Sequence, residues 1–240
     1  MIEMPSSASS LVVLFISFIL SLFGSCNGPN PSSNNGQAEI VNDKIVEIIL
    51  SAPSYELDKA DMTTTKSILE QRFAYLNAEL EFLPDNRFLL RLPTISLEDP
   101  TSLIDLATRQ GVLRFRIVKE EYIDTKVLDL DMLEPSPFGH IVTKATASID
   151  EYSTMATVFF EILENEQESF GDFTEENISR RLAIVLDSEV LIAPRLQGRI
   201  SNAAQITGLD SLTQAQEYAR IFNSGQLPFK LNFEQIRMAE

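Results

Sequence analysis

Arg180–Leu196 reads RRLAIVLDSEVLIAPRL, two apolar runs on either side of a polar turn. Leu182–Leu186 (LAIVL) has the length and the β-branched content of a buried strand. The chain turns at Asp187-Ser188-Glu189, and Val190–Ala193 supplies the return strand of a hairpin. That turn lacks the Asn-Gly or Asp-Gly pair that specifies a two-residue loop, so its type stays open. Ala193-Pro194 marks the end of the second strand, because proline has no N–H to give to a sheet ladder. Asp187 ends a strand, as many catalytic aspartates do, but a carboxylate closing a turn explains it more simply.

Working outward toward the C-terminus, Leu212, Ala215, Ala219 and Phe222 recur at the spacing of one helix stripe. Asp210 or Ser211 can cap this helix, and Gly225 can close it. Phe229, Leu231 and Phe233 then alternate with Lys230, Asn232 and Glu234 as a strand. Before the hairpin lie two strand-like runs, Thr143–Ile149 and Ala156–Leu163, and a polar helix over about 165–180. Nearer the N-terminus, Lys44–Leu50 (KIVEIIL) predicts a strand. Met62–Leu76 predicts a helix with Ile68, Leu69, Phe73 and Leu76 on one side. Glu79–Leu83 and Arg87–Leu92 predict a hairpin across Pro84-Asp85-Asn86. A second helix over about 98–109 stops at Gly111, and Leu113, Phe115 and Ile117 alternate with Arg114 and Arg116 as a half-buried strand. The order β-α-β-β-α-β is the ferredoxin-like arrangement.

In this order the pieces resemble the first periplasmic domain of the bacterial protein-translocase subunit SecD. The likeness is carried by Arg180–Leu196, with Asp187, Ala193 and Pro194 in place. It continues through Gln205-Ile206-Thr207-Gly208, Ala215-Gln216-Glu217 and Ser224-Gly225-Gln226-Leu227-Pro228. Upstream, Ile68–Arg72, Asp85–Pro93 and Leu113–Arg116 keep the family's order and spacing. The resemblance implies an α+β fold: a ferredoxin-like base subdomain (39–118 and 206–240) with an inserted α+β head subdomain (119–205). It further implies contact with exported or unfolded polypeptides, a head that moves between two orientations, and work alongside Sec translocon components. The family's proton-driven motion depends on transmembrane segments. The chain ends at Glu240, where the family enters its second membrane helix, so the expectation is a tethered module without a proton pathway. In the head, Phe159, Phe160, Ile162 and Phe170 are candidates for a surface that holds an extended chain; packing of the head core is the alternative. The 119–122 and 199–204 segments are candidate hinges.

The N-terminus reads as an address. Leu11–Phe23 is an apolar run too short to span a membrane comfortably but of the length of a signal-peptide core. Leu22-Phe23-Gly24-Ser25-Cys26 resembles the lipobox of bacterial lipoproteins, with 1–25 as signal peptide and Cys26, the single cysteine, as the lipidated residue. A signal cleaved without lipidation, or an uncleaved anchor, is the alternative. The stretch 26–38 continues as NGPNPSSNNGQ, a tether too polar to bury surface. The body is thus expected in the bacterial envelope, anchored by palmitate-type acyl chains and facing the periplasm. Asn27 is not the aspartate that marks inner-membrane retention in some bacteria, and either membrane is open.

Composition narrows the chemistry. A net charge of −16 repels nucleic acid and anionic membrane surfaces. One cysteine and one histidine form no internal disulfide and no four-ligand zinc site. His140, beside Gly139 in a proline-rich loop, has no nucleophile or orienting partner in its neighbourhood of sequence. The acids Glu164, Glu166, Glu168, Asp172, Glu175 and Glu176 make a solvated helix face, without the Gly-centred spacing of a calcium loop. No phosphate loop, Gly-x-Ser-x-Gly elbow or His-Glu-x-x-His is present. The expectation is a non-enzymatic binding module with no cofactor and no metal. A lipoprotein scaffold for one folded envelope partner is the alternative.

Overall fold

The computed structural model describes residues 45–53, 57–93, 100–150 and 154–239. The segments expected to be a signal peptide, a lipidated Cys26 and a tether lie outside the described residues. The elements run β1 (Ile45–Ser51), α1 (Lys59–Phe73), β2 (Glu79–Leu83), β3 (Arg87–Pro93), α2 (Pro100–Thr108), β4 (Leu113–Ile117), β5 (Val142–Ile149), β6 (Ala156–Ile162), α3 (Gln167–Glu176), β7 (Leu182–Leu186), β8 (Glu189–Ile192), β9 (Ala203–Leu209), α4 (Leu212–Ser224) and β10 (Asn232–Ala239).

Four strands form an antiparallel sheet in the order β10-β1-β3-β2. This is the ferredoxin-like order, but its fourth strand is β10 and not Leu113–Ile117. The pattern that predicted β4 was correct as a strand and wrong as to partner: β4 pairs antiparallel with β7. Both β4 and β10 follow a helix and either could lie beside β1; only tertiary packing separates them. The predicted strand over Phe229–Phe233 is likewise displaced. Phe229 and Leu231 are buried in the approach to the sheet, and pairing starts at Asn232.

The helix α1 starts earlier than the apolar stripe suggested, because the Asp58 side chain accepts from the Ala60 N–H at 3.1 Å. Its buried face carries Ile68, Leu69, Arg72 and Phe73. The outer face of the sheet bears a charge ladder across three strands. Glu47 of β1 accepts from Arg91 Nε of β3 at 3.0 Å and from Arg237 Nε of β10 at 2.6 Å, and Arg91 also meets Glu81 at 2.6 Å. The two guanidiniums hold the Glu47 carboxyl below its usual 4.5, Arg237 first and Arg91 second. A depressed carboxylate stabilises the fold above its unfolded pKa and loses that contribution as pH falls through the folded one. Glu47→Gln is therefore expected to lower the melting temperature at neutral pH. It should also flatten the decline of stability below about pH 4.5 in an acid titration.

The rest of the body holds two three-stranded sheets, β4-β7-β8 and β5-β6-β9. β7 is buried throughout because it is the central strand between two clusters. Leu182, Ile184 and Leu186 join the main core, and Ala183 and Val185 meet Val118 and Leu133 on the other face. β9 was not anticipated: only Ile206 of its seven residues is buried, so its periodicity is faint. At Ala156/Thr157 its register slips, with Leu209 and Thr207 as successive partners. Gly208 is the extra residue of that bulge and takes φ +79°. The polar helix is shorter than its sequence pattern, since Ser179 at φ 73° turns the chain into β7.

One apolar core draws side chains from all three sheets. α4 packs on α1 and also on β5 and β6. The Asn223 side chain fixes it to β5, accepting from Ala145 N at 2.7 Å and donating to Ala145 O at 2.8 Å. Ser211, not Asp210, caps α4, accepting from Gln214 N at 3.1 Å. Of the candidate hinges, 119–122 follows β4 and 199–204 joins β8 to β9, both between the two three-stranded sheets. The chain passes between the four-stranded sheet's elements and the other two sheets at 109–112 and 225–231. Leu113–Ile117 and Ile206–Leu209, assigned to the base from sequence, hydrogen-bond into the two three-stranded sheets.

Candidate functional site

β6 alternates, and the alternation divides the four aromatic and aliphatic candidates. Phe160 and Ile162 point inward at 0% and 1% exposure, while Phe159 points out at 44%. Phe170 of α3 is also fully buried, edge-on to Phe115 at 5.0 Å and to Phe138 at 5.4 Å. Phe160 stands 5.9 Å from Phe115 and 6.2 Å from Phe222. Phe160, Ile162 and Phe170 are thus core residues: the two rings join the aromatic chain between the sheets, and Ile162 packs in the same core. Phe159 alone lies on the open face of β5-β6-β9, opposite Thr146 and Gln205.

An apolar cavity of about 290 Å³ lies over that core. Its floor is Phe115, Phe170, Leu182 and Ile184; β9 contributes Ala204 and Gln205, and the 194–200 segment arches across it. Pro194 ends the β8 ladder and turns the chain over the cavity, its carbonyl accepting from Leu182 N at 2.9 Å. The Ala193 carbonyl accepts from Arg181 Nε at 2.9 Å. The arch is tied at both feet. Leu196 N donates to Arg180 O at 2.8 Å and Ser179 N to Leu196 O at 2.9 Å. At the other foot Arg199 reaches Asp172 at 2.5 Å and Glu175 at 2.9 Å, and Ile200 N donates to Thr174 Oγ1 at 2.8 Å. Gly171 lets the guanidinium lie on α3; a Cβ there would sit 2.5 Å from Arg199 Nη2.

Beneath lies a junction that the motif residues share. The Arg72 guanidinium, 0% exposed, donates to Ser224 Oγ and to the carbonyls of Leu106, Arg109, Gln110 and Gly225 at 2.5–3.3 Å. These acceptors lie at the C-terminal ends of α2 and α4, where the helix dipoles favour a cation. Burial pushes Arg72 down to about 10, against the raising field of Asp187, so it keeps its charge at neutral pH. Asp187, at φ 56°, accepts from Gly111 N at 2.9 Å and Val112 N at 2.7 Å. Its role is to hold the hairpin turn on the first crossing. Gly225, at φ +82°, stops α4, and Pro228 follows, exposed between buried Leu227 and Phe229. Leu227 N donates to Gln110 O at 2.8 Å, joining the two crossings.

Sequence reasoning missed Arg72 and Arg199. Arg72 left a signal: it falls in the apolar stripe, four residues after Ile68 and one before Phe73. Nothing local marks Arg199. His140 is half-buried and desolvation lowers its pKa, so it is neutral at pH 7. Among the described residues no cluster of three or more His, Cys, Asp or Glu side chains could hold a metal ion, and no helix is long and apolar enough to cross a membrane.

Comparison with known proteins agrees with this architecture. Residues 133–229 match the family model of the SecDF P1 head subdomain. The protein translocase subunit SecDF of Thermus thermophilus is 28% identical over 219 residues, covering 80% of this chain and 30% of that protein. SecD of Aquifex aeolicus is 40% identical over 137 residues, covering 55% and 27%. A crystal structure of SecDF in its super-membrane-facing form aligns with a TM-score of 0.70 at 27% identity over 82% of this chain and 30% of that one. A structure described as a membrane component, SecDF, that enhances protein export aligns with a TM-score of 0.68 at 27% identity. That alignment spans 80% of this chain and 99% of the solved one. The chain therefore spans about three-tenths of the length of those curated relatives. Over most of its length, the α+β body resembles the periplasmic domain of SecD and SecDF.

Proposed function

We propose that this protein is a non-enzymatic, membrane-tethered SecD-like module that binds exported polypeptides in the bacterial periplasm and assists translocation or envelope assembly. The observation that carries it is the apolar cavity under the 194–200 arch, within the stretch matching the head subdomain. A cavity of this size takes one or two apolar side chains of an extended chain. The gain scales at about 25 cal/mol per Å² of apolar surface removed from water, which suits weak, sequence-tolerant capture. Phe159, on the open sheet face, adds a second contact. The division between base and head falls at the crossings 109–112 and 225–231. Cys26 carries the lipid anchor, and the tether lets the body reach chains near the membrane.

Ala204→Phe fills the cavity from β9. It is expected to weaken binding of a permanently unfolded, fluorescently labelled polypeptide by about tenfold, a loss of about 1.4 kcal/mol, with the melting temperature nearly unchanged. Equal binding by the filled variant would remove the cavity from the account. A folded envelope protein as the sole partner recovered would favour the scaffold alternative. Cys26→Ala is expected to move the protein from the membrane to the soluble fraction, with loss of acyl mass at the N-terminal peptide.

A further inference from the structure

The sheet β4-β7-β8 carries a cleft on its outer face, away from the apolar cavity, lined by both basic and acidic side chains. One part, of about 620 Å³, is lined by Arg109, Arg114, Lys230 and the Asp187–Glu189 turn. The adjoining part, of about 540 Å³, shares Arg114 and Asp187 and adds Arg116, Ser136 and Phe138. Arg114 and Arg116 come to the same side because they alternate with the buried Leu113, Phe115 and Ile117.

The three acids around the cleft each have partners, although Asp187 is held by neutral amides and keeps its charge. Asp105 and Glu189 both pair with Arg109, at 3.0 and 2.8 Å. Asp187 Oδ1 accepts the amides of Gly111 and Val112. Arg116 spends its donors on neutral carbonyls, those of Glu134 at 2.5 Å and Leu133 at 2.9 Å, and keeps its charge uncompensated. Arg114 and Lys230 make no hydrogen bond or ion pair among the described residues. Behind the turn, Arg72 adds a buried positive charge bonded only to neutral oxygens. Arg114 and Lys230 thus face one cleft without a carboxylate partner, although the chain carries a net charge of −16. A concave, partly desolvated wall focuses their field.

We propose that this cleft binds a small anion presenting phosphate or carboxylate oxygens, held by Arg114 and Lys230 with Arg116 alongside. Arg114 supplies a planar fork suited to two oxygens of one group, and Lys230 supplies a mobile point charge from the second crossing. Both crossings border the cleft, so a bound anion would tie Lys230 of the α4–β10 segment to β4.

The test is calorimetric titration of the full chain with sodium phosphate, and separately with sodium acetate, at constant ionic strength in chloride. Saturable binding of at least one anion is expected, and which one binds identifies the source of the oxygens. The double variant Arg114→Gln/Lys230→Gln should weaken it by about tenfold or more, as expected for lost charge-assisted hydrogen bonds. Its melting temperature in chloride should stay the same, because neither side chain makes a bond in the fold. Lys230→Gln alone, at an exposed position, should give a partial loss. Lys59→Gln/Lys126→Gln removes two equally unpartnered cations elsewhere and should leave binding intact. Absence of saturable binding by either anion, or an equal loss in the Lys59/Lys126 pair, would overturn the proposal.

Discussion

Arg72→Met should lower the unfolding free energy by about 3–5 kcal/mol, the range for breaking a buried charged network by removing one partner. Methionine keeps much of the length and the apolar stem. The loss therefore reports the hydrogen bonds to Ser224, Leu106, Arg109, Gln110 and Gly225, and not a cavity. The carbonyls of Leu106, Arg109 and Gly225 would lose this donor, while Gln110 O keeps Leu227 N; a buried group left unsatisfied costs about 1–3 kcal/mol before relaxation. Equilibrium urea denaturation measures it. Gly111→Ala should act in the same direction by a different route. Its Cβ would sit 2.8 Å from Arg72 Nη2 and 3.1 Å from Ile221 Cγ2, on a backbone at φ +87°. If Arg72→Met were neutral, the two crossings would be held by the Leu227–Gln110 hydrogen bonds and apolar packing without the guanidinium.

Two adjacent phenylalanines should behave in opposite ways. Phe160→Ala is expected to cost about 3–5 kcal/mol, because it empties a fully buried ring site between Phe115 and Phe222. Phe159→Ala, on the exposed face of the same strand, should stay within about 0.5–1 kcal/mol. If instead Phe159 governs capture of unfolded chains, its substitution lowers binding while the melting temperature holds. Measuring stability and polypeptide binding on both variants separates packing from recognition. A large stability loss at Phe159 would mean that the outer face of β5-β6-β9 is covered in the folded protein.

Legibility followed burial. The run LAIVL announced β7 because both of its faces are covered, and a strand in that position must be apolar at every residue. Ser211 and Gly225 announced the ends of α4 because a cap and a stop act within a few residues. β9 and β10 were hidden for the converse reason: β9 buries only Ile206, and β10 buries no residue. Phe229 and Leu231 imitated a strand because a crossing segment that threads between layers also alternates. The identity of the fourth strand of the four-stranded sheet was beyond local pattern, since β4 and β10 obey the same rules and differ only in partner.

The candidate site was legible in its frame and not in its surface. Asp187, Ala193, Pro194, Gly208 and Gly225 each have a backbone task that their residue type suits: a turn, a ladder end, a bulge and a helix stop. The apolar residues chosen as a binding face were mostly core, because hydrophobicity alone does not tell an interior from a groove. The cavity became visible only when the 194–200 arch was seen anchored to α3 through Arg199 and Thr174. A buried arginine in an apolar stripe is a usable clue in its own right, since such a side chain must find acceptors inside the fold.

The central claim, capture of exported chains by the cavity, is tested most directly by photo-crosslinking in intact cells from Gln197 on the arch, with Lys59 on α1 as the reference position. The account predicts adducts to many unfolded exported polypeptides from Gln197, few from Lys59, and loss of the Gln197 adducts in the Ala204→Phe background. Equal adducts from both positions, or a single folded partner at Gln197 unaffected by Ala204→Phe, would contradict it.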